Sequence, residues 1–170
     1  NFVYKKLKEP VTTYPVQQST NHCVIFQALF NEKAPTKGHA GLNFASFDEA
    51  TLNELATKVF VYALVWSVGV SNLNGFDAFN DYLRDFLSDE GINCGIPGLG
   101  TVYDYFVDLE KGEWVKFESI IPKFKYSKEL PYFQIMVETV DTVRFGYCFE
   151  MLITMMKPFF ATGVTGTGKT

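Results

Sequence analysis

The chain has 170 residues, of which 47% are hydrophobic and 16% aromatic, so it can fill a core and is not a disordered tail. Its formal net charge of −4 at pH 7 argues against broad nucleic-acid binding and against a general membrane-surface role. The cysteines lie far apart and lack metal-ligand spacing, which favours reduced thiols over disulfides or zinc. They are Cys23, Cys94 and Cys148.

The first third of the sequence predicts two helices. One covers about residues 17–32, where apolar residues recur at helical spacing after a break at Pro15. A capping box at residues 46–49 opens the second, because Ser46 and Glu49 can satisfy each other's backbone donors. Its longest apolar run, residues 59–70, is too short to span a bilayer and is predicted to be a buried core helix. The apolar face of this helix consists of Leu52, Leu55, Val59, Ala63 and Trp66, with Ala56, Phe60 and Leu64 beside them.

A third, amphipathic helix is predicted over about residues 76–90, with Gly91 as its stop. Strand-forming residues then flank a turn at 110–112, which predicts a β-hairpin of residues 102–107 and 114–117. Three aromatic residues of the hairpin could stack on bases or pack in the core. Core packing is favoured because no cluster of positive charge surrounds them. They are Tyr103, Tyr105 and Phe106.

Residues 163–170 read Gly-Val-Thr-Gly-Thr-Gly-Lys-Thr, which is a complete phosphate-binding P-loop. The glycines let the loop turn so that successive backbone N–H groups surround a phosphate. Lys169 is placed to reach the β- and γ-phosphates of ATP, and the Thr170 hydroxyl to bind Mg²⁺. A glycine-rich tail without nucleotide function is the alternative. The predicted phosphate-binding residues are Gly163, Thr165, Gly166, Thr167, Gly168, Lys169 and Thr170.

The residues ahead of the motif fit a P-loop unit, although the unit is incomplete. A helix is predicted over about residues 140–156, capped by Thr139 or Asp141, and the apolar run at 159–162 predicts a short strand. Phosphoryl transfer also needs an acidic motif that holds Mg²⁺ and an arginine from a neighbouring module. No apolar run here ends in such an acidic pair, so this chain alone is expected not to hydrolyse ATP. Its start at an asparagine and its stop inside a nucleotide motif predict a piece of a longer polypeptide.

Four stretches, in this order, resemble the dynein heavy chains, ring-shaped AAA+ microtubule motors, and especially their axonemal members. Residues 61–69 are similar to the tryptophan-containing helix of the lid that follows the second AAA+ module. Residues 100–108 and Trp114 match the signature after that helix, and residues 131–145 resemble the entry to the third module. The P-loop then lies where that of the third module should. Val70 and Glu138 depart from the family, where many relatives have glycine and proline.

The resemblance implies an α+β fragment with two parts. Residues 1–122 would be a mostly helical AAA+ lid with a small β-hairpin. Residues 123–170 would be the first helix, the strand and the P-loop of the next AAA+ α/β subdomain. The resemblance also places Val140 and Thr142 near the adenine of bound ATP or ADP, with Mg²⁺ at the phosphates. Simple capping of the helix by Thr139 or Asp141 is an equally good interpretation of that stretch.

By the same resemblance, the fragment would contribute a regulatory ATP site to an ATP-driven, minus-end-directed motor of cilia and flagella. The implied partners are neighbouring AAA+ modules of the same heavy chain, dynein intermediate and light chains, and microtubules through distant parts of the parent chain. Neither nucleic acid nor membrane is expected as a partner. The implied location is the cytoplasm and cytoskeleton, in the axoneme. The alternative function is a non-catalytic interaction module between AAA+ units, with an incidental P-loop.

Overall fold

The structure is a computed structural model, and it describes residues 2–9, 11–30, 47–72, 75–126, 129, 131, 135–161 and 165–166. These residues form mainly helices with one small sheet. In chain order the elements are α1 (Phe2–Lys6), α2 (Pro15–Leu29), α3 (Glu49–Ser67), α4 (Phe76–Asp89), β1 (Tyr105–Asp108), β2 (Glu113–Lys116) and α5 (Val140–Thr154). Short 3₁₀ turns cover Gly69–Ser71, Val102–Asp104 and Phe117–Ile120.

The first predicted helix is confirmed as α2, which packs along α3. It begins at Pro15, earlier than predicted, because a proline at the first helical position loses no intrahelical hydrogen bond. The Phe60 ring of α3 lies edge-on to the rings of His22 and Phe26, with centroid distances of 4.4 and 6.4 Å. The short α1 lies against α4, where the Phe2 ring stacks on Tyr82.

The second predicted helix is confirmed as α3, but its observed cap is Asp48. The Asp48 carboxylate accepts a hydrogen bond of 3.0 Å from the Thr51 N–H, and the helix begins at Glu49. The predicted cap, Ser46, lies outside the described residues. An aspartate suits this position because its negative charge also interacts favourably with the N-terminal end of the helix dipole.

The apolar face of α3 is wider than the predicted stripe. Phe60, which was expected beside that stripe, remains 51% exposed. By length and composition alone, Glu49–Ser71 is long and apolar enough to cross a membrane, so the apolar segment exceeds the predicted run of residues 59–70. However, 56% of that segment's most apolar window is buried inside the protein, as in a core helix. The buried residues of the face include Leu55, Val59, Val61, Tyr62, Ala63, Val65 and Trp66.

The third helix is confirmed as α4, and it ends where the sequence predicts. The Gly91 N–H donates to the Ser88 carbonyl and the Ile92 N–H to the Leu87 carbonyl, which together form a Schellman motif. Phe79, Leu83 and Leu87 are buried against the core, whereas Phe76 and Phe86 are partly exposed.

The β-hairpin is confirmed, and its aromatic residues are buried in the core. Strands β1 and β2 are antiparallel, with Tyr105 opposite Lys116 and Asp108 opposite Glu113. Residues 102–104, predicted as strand, form a 3₁₀ turn because the Asp104 carboxylate accepts from the Thr101 N–H. Tyr103, Tyr105 and Phe106 are all buried, so they pack in the core, as the sequence favours.

A buried lysine joins the hairpin to α3. The Lys58 ammonium group donates to the Gly112 carbonyl at the hairpin turn and to the Glu54 carboxylate, each over 2.6 Å. Because both partners accept hydrogen bonds, the charge is compensated inside the fold.

The prediction of a short strand at residues 159–162, ahead of the P-loop, is wrong over the described residues 159–161. These three residues have no regular secondary structure. Phe160 is 89% exposed. A strand of this kind forms only when a neighbouring strand accepts and donates its backbone hydrogen bonds, and no such neighbour lies among the described residues.

We expect the stability of the fold to decrease as the pH falls below about 6.5, the ordinary pKa of histidine. Burial between α2 and α3 lowers the pKa of His22, and the backbone of Ala63 offsets only part of this effect. The unfolded chain therefore takes up the proton at a higher pH than the folded chain, which favours unfolding under acidic conditions. Urea unfolding at pH 7.5 and 5.5 measures the difference in stability, which His22→Gln should reduce.

We expect Gly69→Ala to destabilise the fold by about 1–3 kcal/mol through overpacking. An added Cβ would lie 2.6 Å from the Phe79 ring and 2.7 Å from the Tyr103 hydroxyl oxygen. Gly98→Ala is the control, because nothing lies within 4 Å of a Cβ at that position. Equal unfolding midpoints for the two variants in urea would contradict this packing.

Candidate functional site

Two of the predicted phosphate-binding residues, Thr165 and Gly166, lie among the described residues. They form an exposed turn in which Gly166 has a φ of +85°. Nothing lies within 4 Å of a Cβ built on Gly166, so its backbone conformation, not close packing, favours glycine. A left-handed residue at this point fits a loop whose N–H groups turn toward a phosphate. The other predicted residues, Gly163, Thr167, Gly168, Lys169 and Thr170, lie outside the described residues, so their roles stay predictions.

The predicted adenine-side residues lie in the first turn of α5. Val140 is half-buried at the first helical position, and Thr142 is exposed. The Thr142 hydroxyl accepts a hydrogen bond of 2.8 Å from the Thr139 N–H and donates to the Thr139 carbonyl. The Thr139 hydroxyl accepts in return from the Thr142 N–H at 3.3 Å. Helix capping by Thr139 is thus confirmed, while contact of Val140 and Thr142 with adenine stays a prediction.

A buried cluster of polar aromatic and thiol groups places α5 on α3. The Tyr62 hydroxyl and the Cys148 sulfur are 3.3 Å apart, and the Tyr147 ring lies edge-on to Tyr62. Burial raises the pKa of Cys148 to about 12, although its hydrogen bond with Tyr62 acts in the opposite direction. Burial also raises the pKa of Tyr62 well above its ordinary value, as do the neighbouring Cys148 and Tyr147. These groups are therefore un-ionised at neutral pH and serve packing, not nucleophilic catalysis.

A second contact between α5 and the first part of the chain involves Arg144, which sequence reasoning missed. Its guanidinium group pairs with Asp141 in the first turn of α5 and lies 4.0 Å from Asp104, in the turn before β1. The spacing of Asp141 and Arg144 on one helix is a sequence signal for a local ion pair. Nothing in the sequence pattern indicates Asp104, because tertiary packing alone brings it near α5.

Metal-ligating side chains do not cluster in the described part of the chain. No group of three or more histidine, cysteine, aspartate or glutamate residues there could hold a metal ion. The predicted magnesium contact through the Thr170 hydroxyl lies outside that part.

Two family models match the chain, one after the other. Residues 1–119 match the dynein heavy chain AAA lid domain, and residues 124–170 match the P-loop containing dynein motor region. The chain belongs to the dynein heavy chain family. The resemblance drawn from the motifs is confirmed, and the second match implies binding of ATP or ADP.

Curated relatives of this dynein segment are axonemal heavy chains. Dynein axonemal heavy chain 6 of Homo sapiens is 30% identical over 171 residues, which covers 99% of this chain. Dynein axonemal heavy chain 2 of Homo sapiens is 34% identical over 153 residues, and dynein axonemal heavy chain 1 of Mus musculus is 29% identical over 187 residues. Those alignments cover 89% and 100% of this chain, respectively. The chain spans only 3–4% of the length of these relatives.

We expect only Cys23 to react rapidly with a thiol reagent in the folded dynein segment. Cys23 is exposed, whereas Cys94 and Cys148 are buried, and burial raises the pKa of both. Labelling at pH 8, followed by peptide mass spectrometry, should modify Cys23 in buffer and all three cysteines in denaturant. Cys23→Ser should abolish the rapid phase. Rapid labelling of Cys148 would show that α5 separates from α3.

Proposed function

We propose that this segment belongs to the motor ring of an axonemal dynein heavy chain, an ATP-driven, minus-end-directed microtubule motor of cilia and flagella. In that ring it would supply the lid of the second AAA+ module and the phosphate-binding loop of a regulatory ATP site in the third. The observation that carries the proposal is the order of the two matches, lid domain then P-loop motor region, with the complete motif at residues 163–170 inside the second.

The proposed nucleotide site uses backbone and side-chain groups of the P-loop. The N–H groups of residues 163–168 would hold the phosphates, Lys169 would neutralise β- and γ-phosphate charge, and the Thr170 hydroxyl would bind Mg²⁺. The left-handed turn at Gly166 supports this proposal because it bends the backbone where the loop must close around an anion. Val140 and Thr142 would lie on the adenine side, at the start of α5.

Hydrolysis would require groups from other parts of the heavy chain. The adjacent acids Asp48 and Glu49 lie at the start of α3, and Asp89 and Glu90 lie at the end of α4. In the sequence, neither pair ends an apolar run of the strand type, which is the position from which an acidic motif holds Mg²⁺ and orients water. An arginine from a neighbouring AAA+ module would also be needed to stabilise charge in the transition state. We therefore infer that residues 1–170 by themselves do not turn over ATP.

The other proposed partners would bind either this segment or other regions of the same heavy chain. Neighbouring AAA+ modules would contact this segment directly. Intermediate and light chains and microtubules would bind distant regions, in the axoneme and its cytoskeleton. A non-catalytic interaction module is the second candidate, and the packing of α5 on α3 through Tyr62 and Cys148 favours it. Both functions are compatible within one ring, since a rigid lid can support a nucleotide site while transmitting movement.

We expect Lys169→Ala in the parent heavy chain to weaken ADP binding at this site by about tenfold to hundredfold. Loss of a hydrogen bond to a charged group costs about 1.5–3 kcal/mol. Titration of the purified motor region with a fluorescent ADP analogue measures the change. Lys125→Ala is the matched control, because this exposed lysine lies in the segment between the hairpin and α5.

Unchanged ADP binding in Lys169→Ala would leave the interaction module as the function of this segment. A second measurement concerns catalysis, in which purified residues 1–170 are incubated with ATP and Mg²⁺. Turnover that Lys169→Ala abolishes would contradict the inference that the segment lacks the hydrolytic groups.

A further inference from the structure

Arg144 is a partly buried cation between the first turn of α5 and the turn that precedes β1. Its side chain is 21% exposed. One terminal nitrogen, Nη2, pairs with Oδ1 of Asp141, three residues earlier on α5. The other, Nη1, lies 4.0 Å from Oδ1 of Asp104, at the outer limit of an ion pair. One guanidinium group therefore connects two elements that are distant in sequence.

Asp104 is held firmly on its side of this contact. Its Oδ2 accepts hydrogen bonds from the Thr101 N–H at 2.7 Å and from the Thr101 hydroxyl at 3.0 Å. Asn80 on α4 accepts from the Val102 N–H, and Arg84 donates to the Pro97 carbonyl, so α4 holds the loop in place. Because its loop is hydrogen-bonded to α4, the position of Asp104 is fixed relative to the rest of the lid domain.

Asp141 is held less firmly on the opposite side. It is 65% exposed and lies in the capped first turn of α5, between Val140 and Thr142. That turn is the one for which we propose contact with adenine. Because the Arg144–Asp104 contact already lies at the limit of ion pairing, a small movement of α5 toward Asp104 would strengthen it and a small movement away would remove it.

The surroundings of Arg144 indicate that stability alone does not require an arginine there. Arg144, Trp66, Tyr103 and Phe145 help to line a cavity of about 150 Å³. Within the described part of the chain, the Nε of Arg144 and the Nε1 of Trp66 have no hydrogen-bond partner. Burying unpaired N–H groups costs free energy, and an apolar side chain in such a place is often neutral or stabilising. A charge at this position would be explained if Arg144 couples α5 to the turn that contains Asp104.

We propose that Arg144 is a positioning residue that couples nucleotide occupancy of the P-loop module to the lid domain through Asp104. The inference rests on the proposed function, because it requires ADP or ATP to bind beside the first turn of α5. Nucleotide that orders this turn strengthens the Arg144–Asp104 contact. By thermodynamic reciprocity, removal of the contact weakens nucleotide binding by the same factor.

The test is a double-mutant cycle in the parent heavy chain, with ADP affinity as the measured quantity. Only the Lys169-dependent part of ADP binding is counted, which isolates this site from others in the ring. Arg144→Gln removes the charge on α5. Asp104→Asn removes the partner charge and keeps an oxygen that can still accept from the Thr101 N–H, so the 3₁₀ turn is preserved.

We expect each single variant to weaken ADP binding by about threefold to tenfold, and the double variant to weaken it no further. Arg144→Lys should restore part of the loss, because lysine keeps the charge but cannot pair with both carboxylates. Lys111→Gln is the matched control, since it removes an exposed ion pair with Asp108 at 3.7 Å in the hairpin. Thermal unfolding of every variant separates a loss of coupling from a loss of folded protein.

Two results would overturn the inference while leaving the proposed function intact. One is ADP affinity unchanged in both single variants when they are folded. The other is two losses that multiply in the double variant, which would mean that the two residues act independently. Absence of Lys169-dependent ADP binding in the unmodified heavy chain would instead overturn the proposed function and this inference together.

Discussion

Burial of α3 is the constraint on which the rest of this structure depends. The helix has a wide apolar face with residues such as Val59 and Ala63 fully buried, so it must be enclosed on several sides to stay out of water. α2 covers one side through the aromatic contacts of His22 and Phe26 with Phe60. The hairpin is attached by Lys58, and α5 by the contact of Tyr62 with Cys148. α2, the hairpin and α5 use different kinds of interaction, and all three contact α3.

This arrangement gives the lid domain and the start of the P-loop region a common core. Phe117, at the end of the hairpin, packs against both Trp66 on α3 and Tyr147 on α5. The helix that precedes the P-loop therefore rests on residues from the lid domain. At Arg144 and at the capped first turn of α5, the contact instead consists of ionic and hydrogen-bonded pairs, which can rearrange at lower cost than packed side chains.

The extent to which the fold could be predicted differs from element to element. The boundaries of α4 followed from its amphipathic pattern and from Gly91, because both signals are local. The burial of Tyr103 and Tyr105 was favoured because no cluster of positive charge surrounds them in the sequence. The prediction of a strand at residues 159–161 was wrong because an apolar run shows only which residues can be buried. It does not show whether a neighbouring strand is present to pair with them. The partial exposure of Phe60 was missed because periodicity cannot tell which residues at the edge of a wide apolar face remain half exposed.

The sequence by itself determined the four helices α2 to α5, the hairpin, the P-loop motif and the membership in the dynein heavy chain family. These depend on short-range patterns, such as apolar periodicity, capping residues and the spacing of Gly163, Lys169 and Thr170, that are complete within a few residues. Only the tertiary structure decided that Tyr62 meets Cys148, that Lys58 holds the Gly112 carbonyl, and that Arg144 approaches Asp104. Those pairs are separated by 86, 54 and 40 positions in the chain, and no local pattern encodes which distant groups the packing of α3 will bring together.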